Sequence, residues 1–261
     1  MNPLRNGNFN SSEIVALTGI AKREMTESEL EKYKKENPKS KAKLIEDQNE
    51  LPKTALTFIK EKNRERRAKR SINTESGGRA QWWGKVCELR AFTVLPNDYS
   101  ISSDTTEFHP TIPNWCGTKD GEKHGEQKTI YDIKCPWTLS SFFDFAESKT
   151  IDEVRANHSD GEKYYWQIVS NACIAGATHG ELIVYCPFQD ELDEIRELAS
   201  NYDGDANKVA WINFASDEDL PYLIREGKYK NIYIFNFEIP AEDKHFLETR
   251  VIQASKLLDN D

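Results

Sequence analysis

Apolar positions recur at helical spacing in several stretches of the chain. In residues 80–92 they are Trp83, Val86, Cys87 and Ala91, with Arg90 on the same face, and they predict a helix. A stronger helix is predicted over 162–177 through Tyr164, Tyr165, Trp166, Ile168, Val169, Ala172 and Cys173. Residues 140–148, 188–200 and 241–258 predict further helices, the last of them amphipathic. The near-continuous apolar run at 181–186 predicts a central strand. Residues 129–135, rich in β-branched and aromatic side chains, predict a strand. So do 99–108, 208–214 and 230–239. Near the N-terminus, Ser11 or Ser12 is placed to cap a short helix starting near Glu13. The element order predicts an α/β fold with a central mixed β-sheet flanked by helices.

Residues 22–70 stand apart from this pattern. The segment 26–35 reads as a solvated helix broken at Asn37-Pro38, and 54–70 as a second helix with a thin apolar stripe. The chain of 261 residues is expected to form one domain, with 22–70 as a charged helical insertion or arm. No internal repeat is evident. No run of 18 apolar residues exists, and the first residues lack an apolar signal core, so a cytoplasmic protein is expected. Five cysteines without Cys-x-x-Cys spacing suggest reduced, buried thiols and argue against an iron–sulfur site.

The net charge of −9 does not advertise nucleic-acid binding, but it is unevenly spread. Residues 22–70 carry 16 Lys/Arg against 10 Asp/Glu, whereas 181–261 carry 8 against 18. A local basic face on an acidic protein is therefore allowed.

Candidate chemistry lies at 117–136. Asp120 and Asp132 stand twelve residues apart, with Lys134 two beyond the second. Residues 121–128 read as a polar turn. On the strand that follows, Asp132 and Lys134 share a face, and a hairpin-like return brings Asp120 beside them. Two carboxylates in one pocket suit Mg2+, and a lysine beside them can orient a water. An ordinary charged surface hairpin is the plainer alternative. At the other end of the chain, Arg5 and a serine at a helix start could hold a phosphate, although a plain capped helix is commoner.

Six short motifs, in order, are similar to those of the lambda exonuclease family, the YqaJ-type phage recombination nucleases of the PD-(D/E)XK superfamily. They are Arg5-Asn-Gly with Ser11-Ser12-Glu13-Ile14, Trp83-Gly84-Lys85-x-x-Glu88, Gly117-Thr118-Lys119-Asp120-Gly121, Asp132-Ile133-Lys134-Cys135-Pro136, Tyr164-x-x-Gln167 and Tyr185-x-Pro187. Lys119 departs from the family, which usually has proline there.

The resemblance implies a restriction-endonuclease-like core and a metal-dependent exonuclease that digests linear double-stranded DNA 5′→3′. It implies that Glu88, Asp120, Asp132 and the Ile133 carbonyl ligate Mg2+, with Mn2+ able to substitute. Lys134 would position water, with Gln167 supporting it. Arg5, Ser12 and Lys85 would contact the 5′-phosphate and DNA. The implied partners are double-stranded DNA ends and a single-strand annealing recombinase, and the implied assembly is a homotrimer ring in a bacterial or prophage setting. A restriction-type endonuclease and a catalytically weakened DNA-end-binding protein remain the alternatives.

Overall fold

The computed structural model describes residues 3–47, 49–72, 77–102 and 105–259. The strands are β1 Phe9–Asn10, β2 Ala21–Glu24, β3 Leu44–Asp47, β4 Tyr99–Ile101, β5 Glu107–Phe108, β6 Trp115–Gly117, β7 Gly121–Lys123, β8 Thr129–Lys134, β9 His179–Tyr185 and β10 Ile232–Glu238. The helices are α1 Glu27–Glu36, α2 Lys53–Ala68, α3 Arg79–Thr93, α4 Leu139–Ala146, α5 Ile151–Asn157, α6 Gly161–Ala175, α7 Leu192–Ser200, α8 Ala206–Val209 and α9 Ala241–Ser255.

The main sheet has the order β10-β9-β8-β7-β4 and is mixed. β8 and β9 are parallel from Thr129↔His179 to Lys134↔Val184, while every other neighbour is antiparallel. A parallel pair needs a long crossover, and α4, α5 and α6 supply it. Both faces of the sheet are covered. Ile130, Leu182 and Val184 pack with Ile168, Val169 and Ala172 of α6 on one side. Tyr131, Ile133, Ile183 and Tyr185 pack with Trp83, Val86 and Cys87 of α3 on the other. That double burial explains the continuous apolar reading of β9. All five cysteines are free, and only Cys135 is not fully buried. No helix among the described residues is long and apolar enough to cross a membrane.

Four expectations are corrected, one of them being the turn read at 121–128, whose first residues, Gly121–Lys123, form β7. Residues 208–214 are not a strand but α8 followed by a 3-10 turn, Ala210–Asn213. Val209 and Ile212 are the buried pair there, and a spacing of three belongs to a helix. The expected strand over 99–108 divides: β4 joins the main sheet and β5 pairs with β6, with 103–104 outside the described residues. Neither Ser11 nor Ser12 caps a helix. A 3-10 turn runs over Ser11–Leu17, and Ser11 is buried within it, hydrogen-bonded to Ser170 at 2.8 Å. The sequence pattern also missed α5, which buries only Ile151 and Val154, and the β2–β3 hairpin.

Part of the basic end of α2 is structural, while Lys60 and Arg64 are exposed. Lys62 lies 2.9 Å from Glu13 and 3.2 Å from buried Glu65. Arg66 donates to the Gly7 carbonyl at 2.9 Å and to Asn114 at 2.7 Å. These contacts fasten the N-terminal residues to a helix that is itself anchored in the core through Ala55, Phe58 and Ile59.

Candidate active site

The site is built where β7 leaves β8. Gly121 pairs with Tyr131, so at the end of the ladder Asp120 stands opposite Asp132. Asp120 Oδ2 accepts a 2.6 Å hydrogen bond from the Ile133 N–H. Two glycines frame this corner because no side chain fits. A Cβ on Gly121 would meet Tyr131 Oη at 2.1 Å, and one on Gly117 would meet Ser11 Oγ and Asn171 Oδ1, each at 2.2 Å.

Strand alternation places Asp132 and Lys134 on the α6 side. Asp132 is 1% exposed. Its Oδ1 accepts from Gln167 Nε2 at 2.7 Å. Its Oδ2 lies 2.6 Å from Lys134 Nζ, yet it receives no well-directed hydrogen bond. The pair is thus ionic and leaves a lone-pair direction to spare. The Lys134 ammonium lies 5.1 Å from the Tyr164 ring centre. Tyr164 and Gln167 are one helical turn apart on α6, so both face β8.

Glu88, on α3, shares a cavity of about 100 Å³ with Asp120, Lys119, Tyr131 and Ile133. Burial, then the charges of Asp132 and Glu88, push the Asp120 carboxyl well above the usual carboxylate range. Lys134 is raised: burial pulls it down, but Asp132, Asp120 and Glu88 together outweigh that. Among the described residues, no three His, Cys, Asp or Glu side chains form a group that could hold a metal ion. Mg2+ does not demand one, since it keeps several waters and is often held by one or two carboxylates plus substrate phosphate. The oxygen-only donors Asp120 and Asp132, with one Asp132 oxygen poorly satisfied, fit such an ion.

The Lys119 ammonium is engaged by acids other than Asp120. The residue is 8% exposed, ion-paired with Glu107 and lying 3.3 Å from Glu122.

Arg5 reaches the same corner: its Nη2 donates to Thr118 Oγ1 at 2.6 Å, two residues before Asp120. Asn171 of α6 donates to the Thr118 carbonyl at 3.2 Å. Ser12 is half-buried next to Ser11. Lys85 is exposed, and its ammonium lies 4.9 Å from the Trp82 ring centre. The structure therefore brings Asp120, Asp132, Ile133, Lys134 and Gln167 together and places Glu88 on the cavity wall. Arg5 lies at the edge, and Lys85 points to Trp82 rather than to the acids. Sequence reasoning did not single out Thr118 or Asn171, whose links cross 113 and 53 residues. Tyr164 was named within its motif with Gln167, but its place beside the Lys134 ammonium was not read from the sequence.

No family model matches the chain, and no curated protein matches it. Solved structures do. An alkaline exonuclease (LHK-Exo) from Laribacter hongkongensis is 15% identical with a TM-score of 0.53, over 97% of this chain and 89% of that one. LHK-Exo in complex with dAMP gives 14% and 0.54, over 98% and 90%. A phage-related exonuclease from Haemophilus somnus 129PT gives 16% and 0.56, over 96% and 92%. The chain therefore has the fold of alkaline and phage-related exonucleases, the fold to which its lambda-exonuclease-like motifs point.

Proposed function

We propose that this chain is a metal-dependent nuclease that digests linear double-stranded DNA 5′→3′ and leaves 3′ overhangs for phage-type recombination. The observation that supports it most is the junction at the end of β8, where Asp120, Asp132, Lys134 and Gln167 meet. The likeness in fold to exonucleases points the same way. Asp120 and Asp132, with the Ile133 carbonyl, would hold Mg2+, or Mn2+ in its place, and Glu88 on the cavity wall would hold a water of that ion. The bound ion would make water a better nucleophile and offset charge on the reacting phosphate.

The chain's own groups supply the rest. Lys134, held between Asp132 and the Tyr164 ring, orients the attacking water and stabilises charge developing on the phosphate oxygens. Gln167 fixes the Asp132 carboxylate through Oδ1 and leaves Oδ2 beside Lys134. Arg5 and Ser12 hold the terminal 5′-phosphate, which would set polarity, and Lys85 meets the DNA backbone. A homotrimer ring and a single-strand annealing recombinase are the expected assembly and partner.

The test is digestion of a 5′-phosphorylated linear duplex with Mg2+, comparing 5′-labelled and 3′-labelled strands. Shortening from the 5′ end by the wild type, abolished in Asp132→Ala, is expected. No digestion, or full activity in Asp132→Ala, rejects the reading, and cutting of closed circular DNA replaces it with an endonuclease.

A further inference from the structure

Residues 20–47 form an excursion that leaves the core after Gly19, and the chain rejoins it at Glu50. Arg250 of α9, only 1% exposed, fastens both ends. It donates to the Gly19 carbonyl at 3.3 Å and to the Glu50 carbonyl at 2.7 Å. β2 and β3 close the excursion as a hairpin from Ala21↔Asp47 to Glu24↔Leu44. Arg23 braces it, lying 2.7 Å from Glu29 and 3.1 Å from Asp47. Thr26 and Glu29 form a capping box that starts α1. Yet α1 buries no residue at all. Helices in folded proteins draw most of their stability from packing an apolar face, and this one has none packed. The excursion is thus rooted and ordered without serving the core.

Its charge is segregated: the excursion carries eight Lys/Arg against seven Asp/Glu, but the stretch 32–43 is strongly cationic. Lys32, Lys34, Lys35, Lys39, Lys41 and Lys43 are all exposed, and Glu36 is the one acid among residues 32–43. Among the described residues, none of the six ammonium groups has an ion-pair or hydrogen-bond partner. On α2, by contrast, Lys62 and Arg66 are engaged internally. Concentrating unpaired cations costs self-repulsion, and a polyanion would relieve it. Lysine is a point charge on a flexible stem, suited to phosphate and poorly suited to bidentate base recognition. Tyr33 is the one aromatic residue in the stretch, so base stacking has little to work with.

We propose that this lysine arm is a sequence-independent docking surface for the phosphate backbone of duplex DNA. The choice of DNA as the polyanion rests on the nuclease reading above. Each phosphate neutralised releases condensed counterions, so binding through the arm has a salt signature. The experiment measures binding of a fluorescent blunt duplex across a salt series, with a chelator present to prevent cutting. Wild type is compared with a variant in which all six lysines are changed to glutamine.

The slope of log affinity against log salt should flatten by about 0.9 for each phosphate that the variant no longer neutralises, and by about 2 or more in total. Affinity at about 0.1 M salt should fall tenfold or more. Thermal melting should not change, because no side chain altered is buried or paired. A smaller flattening overturns the arm and leaves an anionic protein as the better occupant, while wild type that binds no duplex overturns the nuclease reading itself. Should the variant fail to fold, lysine acylation of the wild type decides the matter. Duplex should protect these six lysines relative to exposed Lys149 and Lys228, and equal labelling overturns the proposal.

Discussion

Gln167→Met tests how Asp132 is held. The substitution keeps length and volume but removes the amide that donates to Asp132 Oδ1 at 2.7 Å. Asp132 is 1% exposed, so water cannot readily replace that donor. Its remaining partner, Lys134 at 2.6 Å, is close but poorly directed as a hydrogen bond. A hydrogen bond to a charged group contributes about 1.5–3 kcal/mol net. Urea unfolding at neutral pH should therefore show a loss in that range, about 2 kcal/mol. The second readout is duplex digestion. A carboxylate freed to rotate loses part of its alignment with Lys134, and each 1.4 kcal/mol corresponds to about tenfold in rate. Initial rates on a 5′-phosphorylated duplex should fall about tenfold or more, mainly in kcat. If Gln167→Met matches wild type within about twofold in rate and about 0.5 kcal/mol in stability, Gln167 does not hold Asp132 and the reasoning is refuted.

Asp120→Asn should abolish digestion yet raise the melting temperature at pH 8. The Asp120 carboxyl titrates well above its ordinary value because burial, Asp132 and Glu88 disfavour its charge. Its ionisation therefore costs stability as pH rises from about 3.9 through the folded value, and the cost is complete above it. The two proteins should converge below about pH 4, and an unchanged or lower melting temperature at pH 8 would count against the crowding of charge. Lys119→Met should leave digestion and its Mg2+ dependence within about threefold of wild type, at a stability cost of about 1 kcal/mol, since Glu107 and Glu122 are partly exposed. A marked gain in activity with a lower Mg2+ requirement would show that Lys119 competes with the metal for Asp120.

Much of the candidate site was legible because its logic is local. Alternation along 129–134 put Asp132 and Lys134 on one face, and the polar stretch before it announced the return that carries Asp120. The order of six short motifs pointed to the exonuclease fold, with which the solved structures agree. Where local signals were thin, the reading failed. Residues 208–214 look strand-like, but Val209 and Ile212 find their burial against α7 and α3 as a helix. Lys119 stood out on sequence alone as a departure from proline, and only the structure shows that Glu107 and Glu122 engage its ammonium.

The sequence by itself determined the strand carrying Asp132 and Lys134, the helices flanking it and the unusual charge of residues 22–70. These follow from periodicity and composition, which operate over a few residues. Tertiary structure alone decided that Arg5 reaches Thr118 across 113 positions, that Arg250 anchors Gly19 and Glu50, and that Lys62, Arg66 and Arg67 of α2 are engaged while the arm's lysines are left unpaired. Such pairings depend on which distant segments close against one another, and no local spacing encodes that closure.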